Sequence, residues 1–318
     1  MIRIVFFGTD TFATTILNEL VSVPDIQILS VITRPDKPAG RGNKVEPPLI
    51  KKFAEQHSVP VLQFLKLKDT AIEQLRKLNA DAFVVAEYGL LIPSAVLDIP
   101  PHGVLNVHPS LLPRYRGASP ISSALLNGDT ETGVSIMLLD AEMDHGPILA
   151  QERCAIDEHD TAPTLEAKLG RLGAALLIKT LPEWVARKMQ PREQNHAQAT
   201  FCKKLTRESG RIGWTQSAEY IHRMWRAYLP WPGIFTMWGE KRLKIVIASP
   251  STGLRVDPAK QSNENRPGTP FLTPEKQLAI ACGTGALIVE RLQLEGKKEL
   301  DAAAFLRGYP AFVDTKLD

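Results

Sequence analysis

Cysteine is scarce in this sequence. The three cysteines, Cys154, Cys202 and Cys282, lie far apart, and none of them belongs to a C-x-x-C pair. An odd number of scattered cysteines argues against a disulfide framework and against a structural zinc site. The pattern is typical of a protein that works in a reducing compartment, and we expect a cytoplasmic location.

Long apolar runs are also missing. No stretch of the 318 residues approaches the roughly 20 apolar residues that a membrane-spanning helix requires. The first residues, MIRIVFFGTD, have neither the apolar region nor the small-residue cleavage site of a secretory signal. With 44% apolar and 23% charged residues the composition is that of a globular protein, long enough for two domains. We therefore expect neither a membrane segment nor a cleaved leader.

Net charge is small, at +3, but it is unevenly distributed. Residues 1–186 contain 17 Lys and Arg against 22 Asp and Glu, a net charge of −5, whereas residues 187–318 contain 21 against 13, a net charge of +8. A basic C-terminal third favours a polyanionic partner such as a nucleic acid. The alternative is a basic surface that serves only solubility.

The turn after the first apolar run lacks the glycine pattern of a dinucleotide site. Residues 2–7 are apolar and end at Gly8, and the following GTDTF has one glycine instead of G-x-G-x-x-G. Strand patterns at 26–33 and 81–86 alternate with helical patterns at 12–20, 49–55 and 69–79. This alternation predicts a doubly wound, mainly parallel α/β sheet with its ligand site at the carboxyl ends of the strands.

The last third of the chain has a different pattern. A periodic helix covers residues 161–185, and the polar, basic stretch at 190–206 has the composition of a linker. A helical pattern at 217–227 is followed by short strand patterns at 235–238, 243–248, 277–281 and 286–291. Short strands separated by turn residues predict a small β-barrel. We therefore predict a domain at 1–189, a linker at 190–206 and a smaller domain at 207–318.

Three tryptophans of the smaller domain, Trp225, Trp231 and Trp238, allow two interpretations. Exposed aromatic rings beside basic residues can stack on nucleic-acid bases. Tryptophan is more often part of a core, and we interpret these three as core residues.

Residues 103–117, GVLNVHPSLLPRYRG, carry the strongest chemical signal. Asn106 and His108 are two residues apart in a short apolar strand pattern, so their side chains should point the same way. Pro109 and Pro113 then force an extended, ordered loop. A satisfied hydrogen-bonded turn is the simplest interpretation of Asn-x-His alone.

A second stretch, ETGVSIMLLDAEMDHGPI at residues 131–148, favours a catalytic interpretation instead. It contains another apolar strand at 134–139, followed by Asp140, Glu142 and Asp144. An amide, an imidazole and a carboxylate brought together from two strand ends can stabilise an oxyanion and move a proton during acyl transfer.

The two motifs, NVHPSLLPRYRG and DAEMDHGPI, resemble those of the 10-formyltetrahydrofolate-dependent formyltransferases. The resemblance extends over nearly the whole chain, from RIVFFGTDTFA near the start to RAYLPWPG at 226–233. It implies a formyltransferase-type, Rossmann-like catalytic domain, an OB-like C-terminal domain that binds tRNA, and 10-formyltetrahydrofolate as the formyl donor. It is strongest with the members that formylate the α-amine of initiator methionyl-tRNA for translation initiation.

The resemblance also implies roles for individual residues. The catalytic residues would be Asn106 as oxyanion donor, His108 as a charged donor, and Asp144 as orienting group and proton acceptor. The folate contacts would be Ser110, Leu111, Leu112, Pro113, Tyr88 and Gly89. The tRNA contacts would be Arg41, Lys37 and Lys44, in a proline-rich basic segment at 33–48 whose composition predicts an exposed, mobile loop. We expect no metal, because the cluster has one histidine and no nearby cysteine, and we expect a monomer.

Three residues depart from the family pattern: Asp10 stands where proline is common, Glu87 where a small residue is expected, and Gly213 where an acidic residue is common. Other functions stay open at this point. A related enzyme could formylate the amine of a sugar nucleotide, although the basic segment at 33–48 favours tRNA. A relative that formylates glycinamide ribonucleotide would usually have a single domain. An inactive RNA-binding relative is disfavoured by the intact Asn106, His108 and Asp144.

Overall fold

A computed structural model describes residues 1–39, 44–251, 266–313 and 315–318. The chain divides into two compact units. The first comprises Met1–Ile121, Thr130–Glu158 and Thr164–Lys203, and the second comprises Ser122–Asp129, His159–Pro163 and Lys204–Asp318. Across the described ranges, none of the helices has both the length and the apolar character needed to cross a bilayer.

Up to residue 203 the helices and strands follow the predicted alternation. In chain order they are β1 (Ile2–Gly8), α1 (Thr11–Leu20), β2 (Ile26–Thr33), β3 (Lys37–Ala39), β4 (Lys44–Glu46), α2 (Leu49–Gln56), β5 (Val61–Gln63), α3 (Asp69–Leu78), β6 (Ala82–Ala86), α4 (Ser94–Leu97), β7 (Val104–His108), β8 (Arg116–Gly117), α5 (Pro120–Asn127), β9 (Glu131–Leu138), β10 (Ile148–Ala155), α6 (Ala162–Val185) and β11 (Phe201–Cys202).

A seven-stranded sheet organises the first unit, with strand order β10-β9-β7-β6-β1-β2-β5. The five strands from β7 to β5 are parallel, and β9 and β10 are antiparallel to their neighbours. The doubly wound, mainly parallel sheet is confirmed. Parallel strands buried on both faces need continuous apolar runs, and β1, β6 and β7 are buried along almost their full length.

Helix α6 fixes which way the side chains of β7 point. A Cβ atom built on Gly173 of α6 would lie 2.8 Å from Cγ1 of Val107, so the helix packs directly on that face of β7. Since side chains alternate along a strand, Asn106 and His108 face away from α6. The sheet therefore presents both of them on one side, as the sequence predicted.

The segment at 33–48 differs from the expected irregular loop. β3 and β4 pair antiparallel, with Pro38 opposite Val45. A two-stranded ribbon consists only of edge strands, where proline is tolerated. At its base the Lys51 ammonium and the Gln63 amide hydrogen-bond the Asp36 carboxylate, at 2.9 and 2.7 Å. The described arms of this segment are thus ordered.

The stretch at 190–206 is not a free connector over its first part, because residues up to Lys203 cluster with the first unit. Arg192 and Ile148 exchange backbone hydrogen bonds of 2.8 Å in both directions. β11 pairs with β8 in parallel, Phe201 opposite Arg116. These residues are held by backbone and polar side-chain bonds instead of an apolar stripe, and the linker assignment at 190–206 stays a prediction.

The second unit contains an antiparallel sheet of short strands that curls into a half barrel. Its elements after residue 203 are α7 (Ala218–Tyr228), β12 (Ile234–Trp238), β13 (Lys241–Pro250), β14 (Pro270–Leu272), β15 (Leu278–Ala281), β16 (Ala286–Leu294), β17 (Leu300–Asp301) and α8 (Ala302–Gly308). The OB-like expectation is confirmed at the level of fold. β14, β17 and α8 were not predicted, because each is too short to show a period.

The three tryptophans of this unit have different environments. Trp238 packs against Phe305 and Phe312, with ring centroids 6.0 and 5.1 Å away. Trp225 is partly buried and donates its indole N–H to the carbonyl of Val246. Trp231 is 53% exposed, so the core interpretation is wrong for that residue.

Candidate active site

Asp144 reaches Asn106 by a route that differs from the predicted meeting of two carboxyl ends. β9 is antiparallel to β7, and Leu138 at its end lies opposite Leu105 near the start of β7. The N–H of Leu139 extends this ladder by donating to the carbonyl of Val104 at 2.8 Å. The residues that follow return along β7 and bring Asp144 to Asn106. Asp144 has a φ of +49°, in the left-handed region that aspartate tolerates better than most residues.

The Asp144 carboxylate accepts hydrogen bonds from two segments. Oδ1 accepts from Nδ2 of Asn106 at 3.3 Å, and Oδ2 accepts from the backbone N–H of Gly117 at 2.8 Å. Nδ1 of His108 lies 3.7 Å from Oδ1, an ion-pair distance beyond hydrogen-bond range. Asn106 and His108 are 8% and 4% exposed. The structure thus brings the three predicted catalytic residues together in a largely dry site.

The orientation of His108 is set by a backbone group that the sequence did not reveal. Its Nε2 is 2.9 Å from the carbonyl oxygen of Tyr115. A carbonyl only accepts, so Nε2 carries a proton and Nδ1 is the nitrogen that can gain or lose one. That nitrogen faces Asp144. The ring is thus held at Nε2 by the Tyr115 carbonyl, while Nδ1 lies 3.7 Å from the Asp144 carboxylate.

The three acidic candidates after β9 have separate surroundings. Asp140 accepts from Nδ1 of His145 at 2.7 Å and from the backbone N–H of Glu142 at 2.9 Å. Glu142 itself is exposed. Asp144 alone among these three bonds to Asn106, which supports the choice made from the motif.

The loop at 110–113 is held mainly by its own backbone groups. The hydroxyl of Ser135 donates to the carbonyl of Ser110 at 2.7 Å, and the same hydroxyl oxygen accepts from the N–H of Leu112 at 3.1 Å. Gln151 Nε2 donates to the carbonyl of Leu112 at 2.9 Å, and the carbonyl of Pro113 accepts from the N–H of Thr200. These bonds hold the loop in place beside the site, and the folate contacts expected from residues 110–113 stay a prediction.

Two cavities adjoin this region of the first unit. One, of about 440 Å³, is lined by Ser94, Leu97, Asp98, Pro101, His102, Gly103, Val104, Leu138, Leu139, Asp140, Ala141 and Trp184. The other, of about 560 Å³, lies outside the 110–113 loop and is lined by Leu111, Leu112, Pro113, Arg114, Glu131, Gln151, Arg153, Gln198 and Thr200. Val104 is on the same face of β7 as Asn106, which places the smaller cavity beside the catalytic residues.

Residues 87–89 follow β6, the strand next to β7. The ring of Tyr88 is only 2% exposed and packs edge-on against Phe7 at 5.3 Å, and burial raises its pKa to about 12. The Tyr88 side chain therefore belongs to the core, and its predicted folate contact stays a prediction. Gly89 is exposed with a φ of +74°.

Three carboxylates, of Glu87, Glu166 and Asp10, lie near one another at this edge. Loss of solvation and then the neighbouring charges of Glu166 and Asp10 raise the pKa of Glu87 to about 8. Burial and then the negative charge of Asp10 raise the pKa of Glu166. Loss of solvation also raises the pKa of Asp10. Crowding and desolvation both disfavour the ionised form, and they outweigh the opposing effects of Arg34 on Asp10 and of a backbone hydrogen bond of Phe12 on Glu166.

The predicted tRNA contacts are only partly described. Lys37 is exposed on β3, and Lys44 starts β4 opposite Ala39. Arg41 lies outside the described residues. As for metals, no group of three or more His, Cys, Asp or Glu within the described ranges has an arrangement that could hold an ion.

Comparison with known proteins decides the family. A family model described as formyl transferase matches residues 2–181, and one described as formyl transferase, C-terminal domain, matches residues 204–310. This chain belongs to the formyl transferase family. It is also 44% identical over 308 residues to a methionyl-tRNA formyltransferase of Roseiflexus castenholzii, which covers 96% of both chains.

Solved structures show the same fold for this formyl transferase. HypX from Aquifex aeolicus in complex with tetrahydrofolic acid superposes with a TM-score of 0.64 at 16% identity, covering 98% of this chain and 48% of HypX. The chain therefore spans about half of the HypX length. WlaRD, a sugar 3N-formyl transferase, gives 0.63 at 18% identity and covers 94% and 99%. At such identities these likenesses concern fold only.

Proposed function

We propose that this chain transfers the formyl group of 10-formyltetrahydrofolate to the α-amine of initiator methionyl-tRNA. One observation carries the proposal: the Asp144 carboxylate joins Asn106 and Gly117 while facing Nδ1 of His108. This is the donor, imidazole and carboxylate set that formyl transfer to an amine requires. The methionyl-tRNA formyltransferase at 44% identity supports the choice of acceptor.

The acceptor amine itself needs little activation. A free α-amino group has a pKa of about 7.7–8.0, and the ester of an aminoacyl-tRNA withdraws electrons and lowers it further. The amine is substantially neutral at working pH. The demanding step is formation of the tetrahedral intermediate, in which the formyl oxygen becomes anionic.

Asn106 and His108 would stabilise that oxygen. The amide nitrogen of Asn106 has two N–H groups, and only one of them is needed for the bond to Asp144. The other is available to the oxyanion. His108, when charged, adds electrostatic stabilisation that is strong in a buried site.

Asp144 would accept the proton that the attacking amine loses. It could do so directly or through one water, and the proton then passes to N10 as that nitrogen leaves. The backbone N–H of Gly117 and the Asn106 amide hold the carboxylate for this task.

The smaller cavity fits the pterin part of the folate. Its apolar walls include Leu97, Val104 and Leu139, and Ser94 and Asp98 add polar groups. A volume of about 440 Å³ is within the range of small-molecule sites, and a lining that mixes apolar walls with polar groups suits a flat heteroaromatic ring that carries ring nitrogens. The contact assignments for Ser110, Leu111, Leu112, Pro113, Tyr88 and Gly89 stay predictions; for the loop they would have to use side-chain surfaces.

The tRNA would be bound by the basic C-terminal third and by the basic segment at 33–48. Positive side chains neutralise phosphates without reading sequence. We accordingly propose a catalytic domain at 1–189, a linker at 190–206 and a tRNA-binding domain at 207–318. We also propose a monomer that works in the cytoplasm.

Formylation of purified, methionine-charged initiator tRNA with 10-formyltetrahydrofolate tests this function. The expected product is formylmethionyl-tRNA. Formylation of a sugar-nucleotide amine in place of methionyl-tRNA would contradict the proposed acceptor, and absence of any formyl transfer would contradict the proposed reaction.

A further inference from the structure

Residues 192–202, called the strap below, run along the catalytic region of the first unit. The strap starts where Arg192 bonds Ile148 and ends where β11 pairs with β8. β8 contains Gly117, whose N–H donates to the Asp144 carboxylate. The strap therefore adjoins both partners of that bond.

One side chain of the strap, Gln194, is buried at 5% exposure and fully bonded. Its Nε2 donates to the carbonyl of Asp144 at 2.9 Å and to the carbonyl of Gly146 at 2.7 Å. Its Oε1 accepts from Nε and Nη2 of Arg116 at 3.1 and 2.7 Å. Carbonyls only accept and a guanidinium only donates, so one amide orientation alone satisfies all four bonds.

The bonds of Gln194 hold two chain segments relative to each other: the loop that carries Asp144 and the strand that carries Gly117. The amide end of Gln194 holds the backbone on both sides of His145, where Asp144 has its left-handed φ of +49°. The oxygen end holds Arg116, which is 4% exposed and directly precedes Gly117. Misplacing a reacting group by about 1 Å can lower a rate about 100-fold.

We propose that Gln194 is a positioning residue for formyl transfer, which holds the Asp144 carboxylate in place against Asn106 and Gly117. The inference rests on the proposed function of this site. Gln194 touches no substrate and acts through Asp144. A purely structural role would instead lower the melting temperature and leave turnover by the folded enzyme unchanged.

Two substitutions separate these roles. Gln194→Glu keeps an acceptor for Arg116 and removes both N–H donors to the loop, and Gln194→Leu removes all four bonds at similar size. We expect kcat to fall about 10- to 100-fold in both variants, with KM for each substrate within about twofold, because only the geometry of the reacting groups changes. Gln190→Leu, at an exposed position before the strap, should turn over as the wild type does.

Kinetics are measured below the melting temperature of each variant, and circular dichroism confirms folding. Should Gln194→Leu fail to fold, Gln194→Glu carries the comparison, since it retains the Arg116 partner. Wild-type kcat in a folded Gln194→Glu or Gln194→Leu protein overturns the inference.

A double-mutant cycle with Asp144→Asn provides the decisive readout. If Gln194 acts through Asp144, Gln194→Leu should slow the Asp144→Asn enzyme by less than about threefold, because the group being positioned has already lost its function. Equal slowing in both backgrounds overturns the inference. If the wild type fails to formylate methionyl-tRNA, the proposed function fails separately, and the cycle is run with the amine that the wild type does formylate.

Discussion

Asp144 is the residue on which the account of the site depends. Its two oxygens accept from Asn106 on β7 and from Gly117 on β8, and Nδ1 of His108 lies 3.7 Å from Oδ1. The carboxylate thus links its own loop to β7 and to β8. Its charge can serve the proton transfer, and its acceptor capacity serves the geometry.

The substitution Asp144→Asn separates these two contributions. An amide oxygen can still accept from Gly117, but the proton acceptor and the negative charge beside His108 are lost. We expect kcat to fall by roughly 10²–10⁴ with folate and tRNA affinity nearly unchanged, measured by steady-state kinetics. Asp69→Asn, exposed on α3, is the matched control. A turnover of Asp144→Asn equal to that of the control would remove Asp144 from the mechanism.

Two of the departures from the family pattern, Asp10 and Glu87, are connected in space. Asp10 and Glu87 come from different strand ends, yet both carboxylates interact electrostatically with each other and with Glu166 on α6. In the sequence alone, Asp10 and Glu87 are two unrelated departures from the family pattern. Their grouping follows from β1 and β6 being neighbours in the sheet.

This grouping predicts a pH dependence of stability. Glu87 has a folded-state pKa raised from 4.5 to about 8, so between these values the unfolded chain binds fewer protons than the folded one. Its contribution to stability therefore falls as pH rises through that window. Glu87→Gln should have a higher melting temperature than the wild type at pH 8 and a similar one at pH 4. Because the Glu87 side chain is exposed, water screens much of this effect, and the difference in melting temperature should be small.

Thermal unfolding at both pH values measures this difference. Glu73→Gln, exposed on α3, is the control and should shift the melting temperature equally at the two pH values. A Glu87→Gln variant that is less stable than the wild type at pH 8 would show that the ionised carboxylate is stabilised instead.

Among the elements, β7 and α6 place the catalytic side chains. The close approach of α6 to Val107 is possible because residue 173 is glycine. Gly173→Ala would place a methyl group 2.8 Å from Cγ1 of Val107, between Asn106 and His108 in the chain. We expect a loss of about 1–3 kcal/mol of stability from overpacking, measured by urea unfolding.

A second glycine controls for helix propensity in this experiment. A Cβ built on Gly308, in α8, meets nothing within 4 Å. Gly308→Ala should therefore be neutral or slightly stabilising, since alanine restricts the unfolded chain. Equal stability of Gly173→Ala and the wild type would mean that α6 can move away from β7 without loss.

The sequence predicted most of the elements, for reasons that also explain its errors. Apolar runs and helical periods identified β1, β2, β6, α1 and α6 closely, because burial determines these patterns. Strand direction does not appear in a pattern of buried residues, so β9 was predicted as a strand but its antiparallel direction was missed. A segment held by polar hydrogen bonds also shows no periodic apolar pattern, which is why the sequence at 190–206, including the strap, was interpreted as a linker.

Within the site, too, some contacts could be predicted from the sequence and others could not. Alternation along β7 predicted that Asn106 and His108 share a face. The carbonyl of Tyr115, the N–H of Gly117 and the side chain of Gln194 could not be predicted, because any residue type has a backbone and because polar glutamines are usually exposed.

For the whole molecule, the uneven charge should govern tRNA binding. Residues 187–318 have a net charge of +8 and residues 1–186 of −5. If the basic part neutralises phosphates, the tRNA affinity should fall by about 0.7–0.9 decades per decade of salt for each contact. The KM for the folate, measured in the same series, serves as internal control and should change little. A KM for tRNA that does not respond to salt would contradict this role.

The most direct test of the central claim is a formyl-transfer assay with an isotope-labelled formyl group on 10-formyltetrahydrofolate. The wild type and Asn106→Ala are each given methionyl-initiator tRNA, and labelled formylmethionine is measured after hydrolysis of the tRNA ester. The account predicts label on the methionine α-amine and a rate lower by about 10²–10³ in Asn106→Ala, since one oxyanion donor is lost. Label on no amine, or equal rates for the two proteins, would contradict it.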